Sequence, residues 1–170
     1  EGYRQFLEDK VRELGLTDHV RFVNRFVDQE TLIRYIQASD VYVTPYLNEE
    51  QVVSGTLSYA LAMGKPIIST PYWYARELLA GGCGILVPFG DVPAMGRAIT
   101  RLVEDGEAYQ RMAEAARSQG QRMRWPEVAR QYGRLFQEVA TAGSRRRVAV
   151  RAGVELASPF LPLPELRIDH

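Results

Sequence analysis

The sequence predicts an α/β fold, a parallel sheet with flanking helices followed by a purely helical C-terminal portion. Three observations carry this expectation. Short apolar, β-branched runs at residues 41–44 and 66–70 are bounded by turn residues, the pattern of strands buried on both faces of a parallel sheet. Between them lie segments with apolar residues at helical spacing, the crossovers that parallel strands need. Beyond Asp91 only the helical period persists.

Each element follows from local signals. Residues 3–14 carry Leu7, Val11 and Leu14 at helical spacing and stop at Gly15, after which residues 20–23 read as a first strand. Residues 30–38 place Leu32, Tyr35 and Ile36 on one helical face, with Asp28 as N-cap, and run into the strand at 41–44. The next helix covers residues 57–63, with Leu57, Ala60 and Leu61 on one face and Gly64 as its stop, ahead of the strand at 66–70. Residues 73–79 form a short helix ending at Gly81-Gly82, and residues 84–87 form a fourth strand closed by Pro88. Asp91 caps a helix with Pro93 in its first turn and Met95, Ala98, Ile99, Leu102 and Val103 on one face; Gly106 ends it. Residues 108–123 make a helix with a solvated Arg and Glu face, and Pro126 opens a last one carrying Val128, Tyr132, Leu135 and Val139.

Composition narrows the function classes. With 170 residues and 46% hydrophobic content the chain can bury one sizeable core, so a domain over 1–142 and a tail over 143–170 are expected. Lys+Arg and Asp+Glu balance at 21 each, leaving no global field to collect nucleic acid or an anionic membrane. Cys83 is the single cysteine, so no internal disulfide forms and metal-site spacing is absent; His19, a turn residue, and His170 lie far apart. No cofactor or metal is expected. No apolar run approaches the ~20 residues of a membrane span and no charged-then-apolar signal opens the chain, which favours a cytoplasmic protein. Arg145-Arg146-Arg147 reads as a solvated element, and three prolines in residues 159–164 read as a linker towards a further segment.

The segment between the 41–44 and 66–70 strands carries the chemistry. A polar, glycine-containing turn, Gln51-Val52-Val53-Ser54-Gly55-Thr56, feeds a helix N-terminus at the carboxyl end of a strand, the place where ligands sit in open α/β sheets. Unpaired N–H groups and a partial positive charge suit a phosphate there, and Gly55 removes the Cβ that would block approach. The same Ser-Gly-Thr is also an ordinary N-cap that needs no ligand. Spacing alone leaves both readings open.

Four runs resemble, in order, the C-terminal half of group 1 (family 4) glycosyltransferases of the GT-B fold: LGLTDHVRF at 14–22, SDVYVTP at 39–45, ALAMGKPII at 60–68 and GILVPFGD at 84–91. The resemblance covers residues 1 to about 140. It implies a Rossmann-like nucleotide-sugar-binding domain lacking its first two strands, with the donor sugar and diphosphate held by Ser54, Gly55, Thr56 and Leu57. It further implies a retaining transfer of a hexosyl unit to a sugar or lipid-linked acceptor, and an acceptor-binding N-terminal domain and diphosphate-neutralising basic residues outside this chain. The polypeptide alone is expected to be inactive.

Departures from the family pattern set the alternatives. The family's two glutamates, seven residues apart, correspond to Gln51 and Tyr59. Gln51 can hydrogen-bond a sugar hydroxyl but supplies no negative charge to an oxocarbenium-like transition state, which makes it a weak catalytic candidate. Tyr59 reads either as a ring stacked on the nucleotide, as in the glycogen and starch synthase variant, or as a core tyrosine. Trp73-Tyr74 stand where relatives carry a glycine pair, with Glu77 keeping the next acidic position; the rings either make a sugar platform or cover the sheet end. Glu49 and Glu50 are loop acids available to replace the lost carboxylate. The alternatives are therefore a catalytically degenerate binding or partner module, and a GT-B sugar-nucleotide epimerase or phosphorylase.

Overall fold

The computed structural model describes residues 2–151, with side chains described as far as residue 142. The chain divides into two units, residues 1–38 and 39–170.

The first unit holds α1 (Gly2–Glu13) and α2 (Gln29–Ala38). Gly15 ends α1 in the left-handed conformation (φ 65°), letting Leu16 N–H reach Val11 O at 2.9 Å and Gly15 N–H reach Arg12 O at 3.1 Å, a paired termination that glycine permits without strain. Asp28 caps α2 through the Thr31 N–H at 2.7 Å, and that bond holds the Asp28 carboxyl below its ordinary range. Residues 20–23 form no strand. A strand exists only through a ladder with a neighbour, and this run, with Val20 and Val23 exposed, has none among the described residues.

The second unit contains the α/β architecture. Its elements are β1 (Tyr42–Thr44), α3 (Gly55–Ala62), β2 (Ile67–Ser69), α4 (Trp73–Leu79), β3 (Gly84–Leu86), α5 (Val92–Glu104), α6 (Gly106–Arg122) and α7 (Trp125–Arg151). The described strands number three rather than four and lie parallel in the order β1-β2-β3, with Tyr42 opposite Ile67 and Ile67 opposite Gly84. Only β2 is buried throughout. The expectation of burial on both faces holds for β2 and fails for β1, which has a neighbour on one side only among the described residues.

The core gathers Ile68, Val87, Ala98 and Leu102, with Val41, Ile85 and Met95 packed against it. α5 begins at Asp91, whose carboxylate accepts the Ala94 N–H at 2.8 Å, with Pro in the first turn. Gly106 does not end α5; it is the first residue of α6. Asp105 closes one helix and caps the next by accepting the Ala108 N–H at 2.9 Å, a double role that a glycine stop signal conceals. α7 starts at Trp125-Pro126, and its backbone runs through residues 143–151; the expected linker at 159–164 lies outside the described residues.

α6 packs on α3 along a seam of small residues, Ala113, Ala116 and Gly120, all buried. A Cβ at Gly120 would stand 2.5 Å from Leu61 O and 2.6 Å from Ala62 Cα, so the two backbones touch. Gly64, just past α3, takes φ 67° beside Arg117. Gly96 in α5 has open space around it instead. Gly120→Ala is therefore expected to destabilise the protein by about 2 kcal/mol or more through overpacking. Gly96→Ala is expected to stabilise it by about 0.5 kcal/mol, because only chain entropy and helix propensity change. Urea unfolding midpoints read both, and a Gly120→Ala variant as stable as the parent would contradict the close packing.

Candidate functional site

Because β1 and β2 are parallel, the loops after them open at the same sheet edge. The strand ends are laced together: Thr70 N–H donates to Thr44 O at 3.3 Å, the Ser69 hydroxyl lies 2.9 Å from Thr70 O and 3.3 Å from Thr44 O, and Thr70 Oγ1 donates to Tyr46 O. Two helix N-termini face this edge, and they are treated differently.

The start of α4 is closed. Tyr72 precedes it without a side-chain cap, and the loop after β1 supplies the missing acceptors: Glu49 O takes the Trp73 N–H at 2.9 Å and Gln51 O takes the Tyr74 N–H at 3.2 Å. An Arg76–Glu49 ion pair ties the same loop to the helix. The start of α3 is open. Ser54, extended at φ −143° and buried, caps it with a long 3.4 Å bond from the Leu57 N–H. The N–H groups of Gly55 and Thr56 have no partner among the described residues, and a Cβ at Gly55 would meet nothing within 4 Å.

A set of hydroxyls surrounds that open turn. Tyr42, from β1, donates to Thr56 Oγ1 at 2.7 Å, and Thr56 Oγ1 lies 3.4 Å from Ser54 Oγ. Ser58 Oγ donates to Ser54 O at 3.2 Å, so the 2.9 Å contact between Ser58 and Tyr74 runs from the Tyr74 hydroxyl to Ser58. Burial pushes the Tyr42 phenol above its ordinary range; the neighbouring Tyr46 and Tyr72 phenols add to this and the Thr56 hydrogen bond opposes it. The Tyr72 ring is fully buried, edge-on to Tyr46 at 5.3 Å, and its hydroxyl has no partner among the described residues.

Of the residues the sequence pointed to, Ser54 caps α3 and Gly55, Thr56 and Leu57 open it; Tyr74 reaches α3 through Ser58, whereas Gln51 is bonded to the α4 start through the Tyr74 N–H. The Leu57 side chain is fully buried, so only its backbone faces the turn. The Gln51 amide donates to Val53 O at 3.1 Å within its own loop. Tyr59 is half-buried on α3, Trp73 is 50% exposed, and Glu77 is exposed on α4. Sequence reasoning missed Tyr42 and Ser58. The alternating hydroxyls Ser54, Thr56 and Ser58 were visible as a pattern, whereas Tyr42 sits in an apolar strand run that gives no sign of its partner. Cys83 is buried, its thiol donates to Leu78 O, and burial raises its pKa, so it lacks the thiolate character a nucleophile needs. No described helix is long and apolar enough to cross a membrane.

A sequence profile for the family described as "Glycosyl transferases group 1" matches residues 1–119. The phosphatidyl-myo-inositol mannosyltransferase of Mycobacterium leprae (strain TN) is 32% identical over 136 residues, which are 79% of this chain and 36% of that protein. The lipopolysaccharide core biosynthesis glycosyltransferase LpsE of Rhizobium meliloti (strain 1021) is 30% identical over 115 residues, 65% of this chain and 32% of its own. Among solved structures, sucrose-phosphate synthase from Thermosynechococcus elongatus superposes with a TM-score of 0.65 at 27% identity, covering 83% of this chain and 35% of that one. Anabaena HepE in complex with UDP-glucose gives 0.66 at 22% identity, covering 85% and 37%, a likeness of fold. The chain thus spans about a third of the length of the relatives it matches.

The cap at the α3 start is measurable by itself. Ser54→Ala is expected to lower stability by about 1 kcal/mol, and Ser54→Asp, which restores an acceptor, to recover part of it. Equal unfolding midpoints for Ser54→Ala and the parent would remove Ser54 from the capping role.

Proposed function

The chain belongs to the group 1 glycosyl transferases, which have the GT-B fold, and on that premise we propose that it forms the nucleotide-sugar-binding part of a retaining glycosyltransferase. The parent protein moves a hexosyl unit to a sugar or lipid-linked acceptor in the cytoplasm. One observation carries the reading: the open first turn of α3, with two unpartnered N–H groups and a bare Gly55, beside an α4 start whose N–H groups the loop already occupies. An anion is what such a turn holds best, since the helix dipole and the free donors both favour it. A nucleotide sugar presents a diphosphate.

The remaining residues take roles around that anchor. Tyr59 lies on α3 beyond the open turn and is half-buried, which suits a ring that packs inside and offers an edge or face to the nucleotide. Trp73, half exposed, supports an apolar sugar platform, while Tyr74 is tied to Ser58 and shapes the turn rather than the sugar site. Glu77 is an exposed acid able to meet sugar hydroxyls. Glu49 is neutralised by Arg76 and is a poor replacement for the family's lost carboxylate. Charge on the leaving diphosphate falls to the α3 N–H groups and to basic residues supplied elsewhere in the protein, as does the acceptor domain.

One observation favours a second reading, a donor domain that binds without transfer: Gln51 stands in the acidic position and its amide is engaged with Val53. Titrating the full-length protein calorimetrically with UDP-, GDP- and ADP-sugars, followed by product analysis, separates the two. Binding with transfer supports the transferase, binding alone supports the degenerate domain, donor isomerisation supports an epimerase, and no binding removes the donor site altogether. Tyr59→Ala is expected to weaken nucleotide affinity roughly tenfold without unfolding the protein; unchanged affinity would end the stacking role. The 170-residue polypeptide alone is expected to show no turnover.

A further inference from the structure

Resting on the nucleotide-diphosphate reading of the α3 turn, we infer that Tyr42 is a positioning residue that fixes the Thr56 hydroxyl as a hydrogen-bond donor towards the diphosphate. Three hydroxyls stand on that turn, and counting their protons and lone pairs distinguishes them. Ser58 is used in both directions, donating to Ser54 O and accepting from Tyr74. Ser54 Oγ already accepts the Leu57 N–H. Thr56 receives the Tyr42 proton at 2.7 Å, the shortest bond of the set, and its remaining contact with Ser54 is a weak 3.4 Å.

Whichever way that weak contact runs, one proton of the Ser54–Thr56 pair is left without a good protein acceptor. An acceptor-only group such as a phosphate oxygen completes the count. With Tyr42 donating to Thr56, a Ser54 hydroxyl that donates across the weak contact fills the second Thr56 lone pair, and Thr56 then has only its hydrogen to turn towards an anion. The Tyr42 phenol is half-buried, and burial raises its pKa, which keeps its proton in place for the bond to Thr56. The fully buried, unpartnered Tyr72 hydroxyl lies near enough to disfavour Tyr42 ionisation, a second sign of uncompleted polar bonding at this sheet end.

The test uses the full-length protein with UDP, GDP and ADP as probes and their nucleosides as controls. For whichever nucleotide binds the parent, Tyr42→Phe is expected to weaken the diphosphate about three- to tenfold and leave the nucleoside's affinity unchanged. Thr56→Val is expected to lose at least as much, Thr56→Ser to retain most of the affinity, and the Tyr42→Phe/Thr56→Val pair to bind no more weakly than Thr56→Val alone, because Tyr42 acts through Thr56. An unchanged Tyr42→Phe affinity, an equal loss for the nucleoside, or losses that multiply in the double variant would overturn the positioning role while leaving the donor site standing. A parent that binds none of the three diphosphates would overturn the donor-site reading and this inference together.

Discussion

The backbone contact between α6 and α3 at Gly120 is the constraint on which the candidate site depends. The strands flanking α3 have three residues each, too few to fix a helix by themselves. What fixes it is a seam of small α6 residues against which Leu61 and Ala62 lie at backbone distance. Close-packed backbone has no soft degree of freedom, since neither partner can change rotamer to relieve a clash. The C-terminal half of α3 is thereby clamped, while its first turn buries Leu57 and Ser54 and leaves the Gly55 and Thr56 N–H groups without a partner among the described residues.

That division of labour continues at the sheet edge. Two helix starts lie there with the same need for acceptors, and one loop meets the need of α4 while leaving that of α3 unmet. The exposed Arg76–Glu49 pair adds little energy of its own. Its value is geometric, because it holds the loop where Glu49 and Gln51 carbonyls reach the α4 N–H groups. Under the proposed reading, closing the α4 start leaves the α3 start as the open donor set at this end of the sheet.

The sequence disclosed what is decided locally. Asp28, Asp91 and the glycines at 15 and 64 mark helix ends through bonds spanning a few residues, and all appear where the spacing put them. The helix at 73–79 likewise matches its expected bounds. The strand expected at 20–23 was not legible as absent, since alternation describes a side-chain pattern and says nothing about a ladder partner. Gly106 misled for a related reason: a glycine after a helix signals a stop, but the Asp105 carboxylate beside it starts another turn. At the site, the Ser54-Gly55-Thr56 turn and its cap were readable, whereas the Tyr42–Thr56 bond joins residues 14 apart whose meeting depends on how α3 is clamped over the sheet.

The lost acidic positions have a specific consequence under the proposed reading. Gln51 replaces a group whose charge would act on the sugar, yet it does not lie among the groups that would hold the diphosphate, which are backbone N–H donors and hydroxyls. Holding a leaving group and stabilising the cation it leaves behind are separate electrostatic tasks, met by donors of opposite sign. On this reading the α3 turn serves the first together with basic residues supplied elsewhere in the protein, and the usual carboxylate for the second is replaced by Gln51. With Gln51 neutral, the departing phosphate oxygen, held by the α3 turn on this reading, is a negative charge that can face a developing oxocarbenium centre. On that reading the placement of the turn joins the identity of residue 51 in deciding whether a bound donor reacts, so the contacts fixing α3 and orienting Thr56 bear on chemistry as well as affinity.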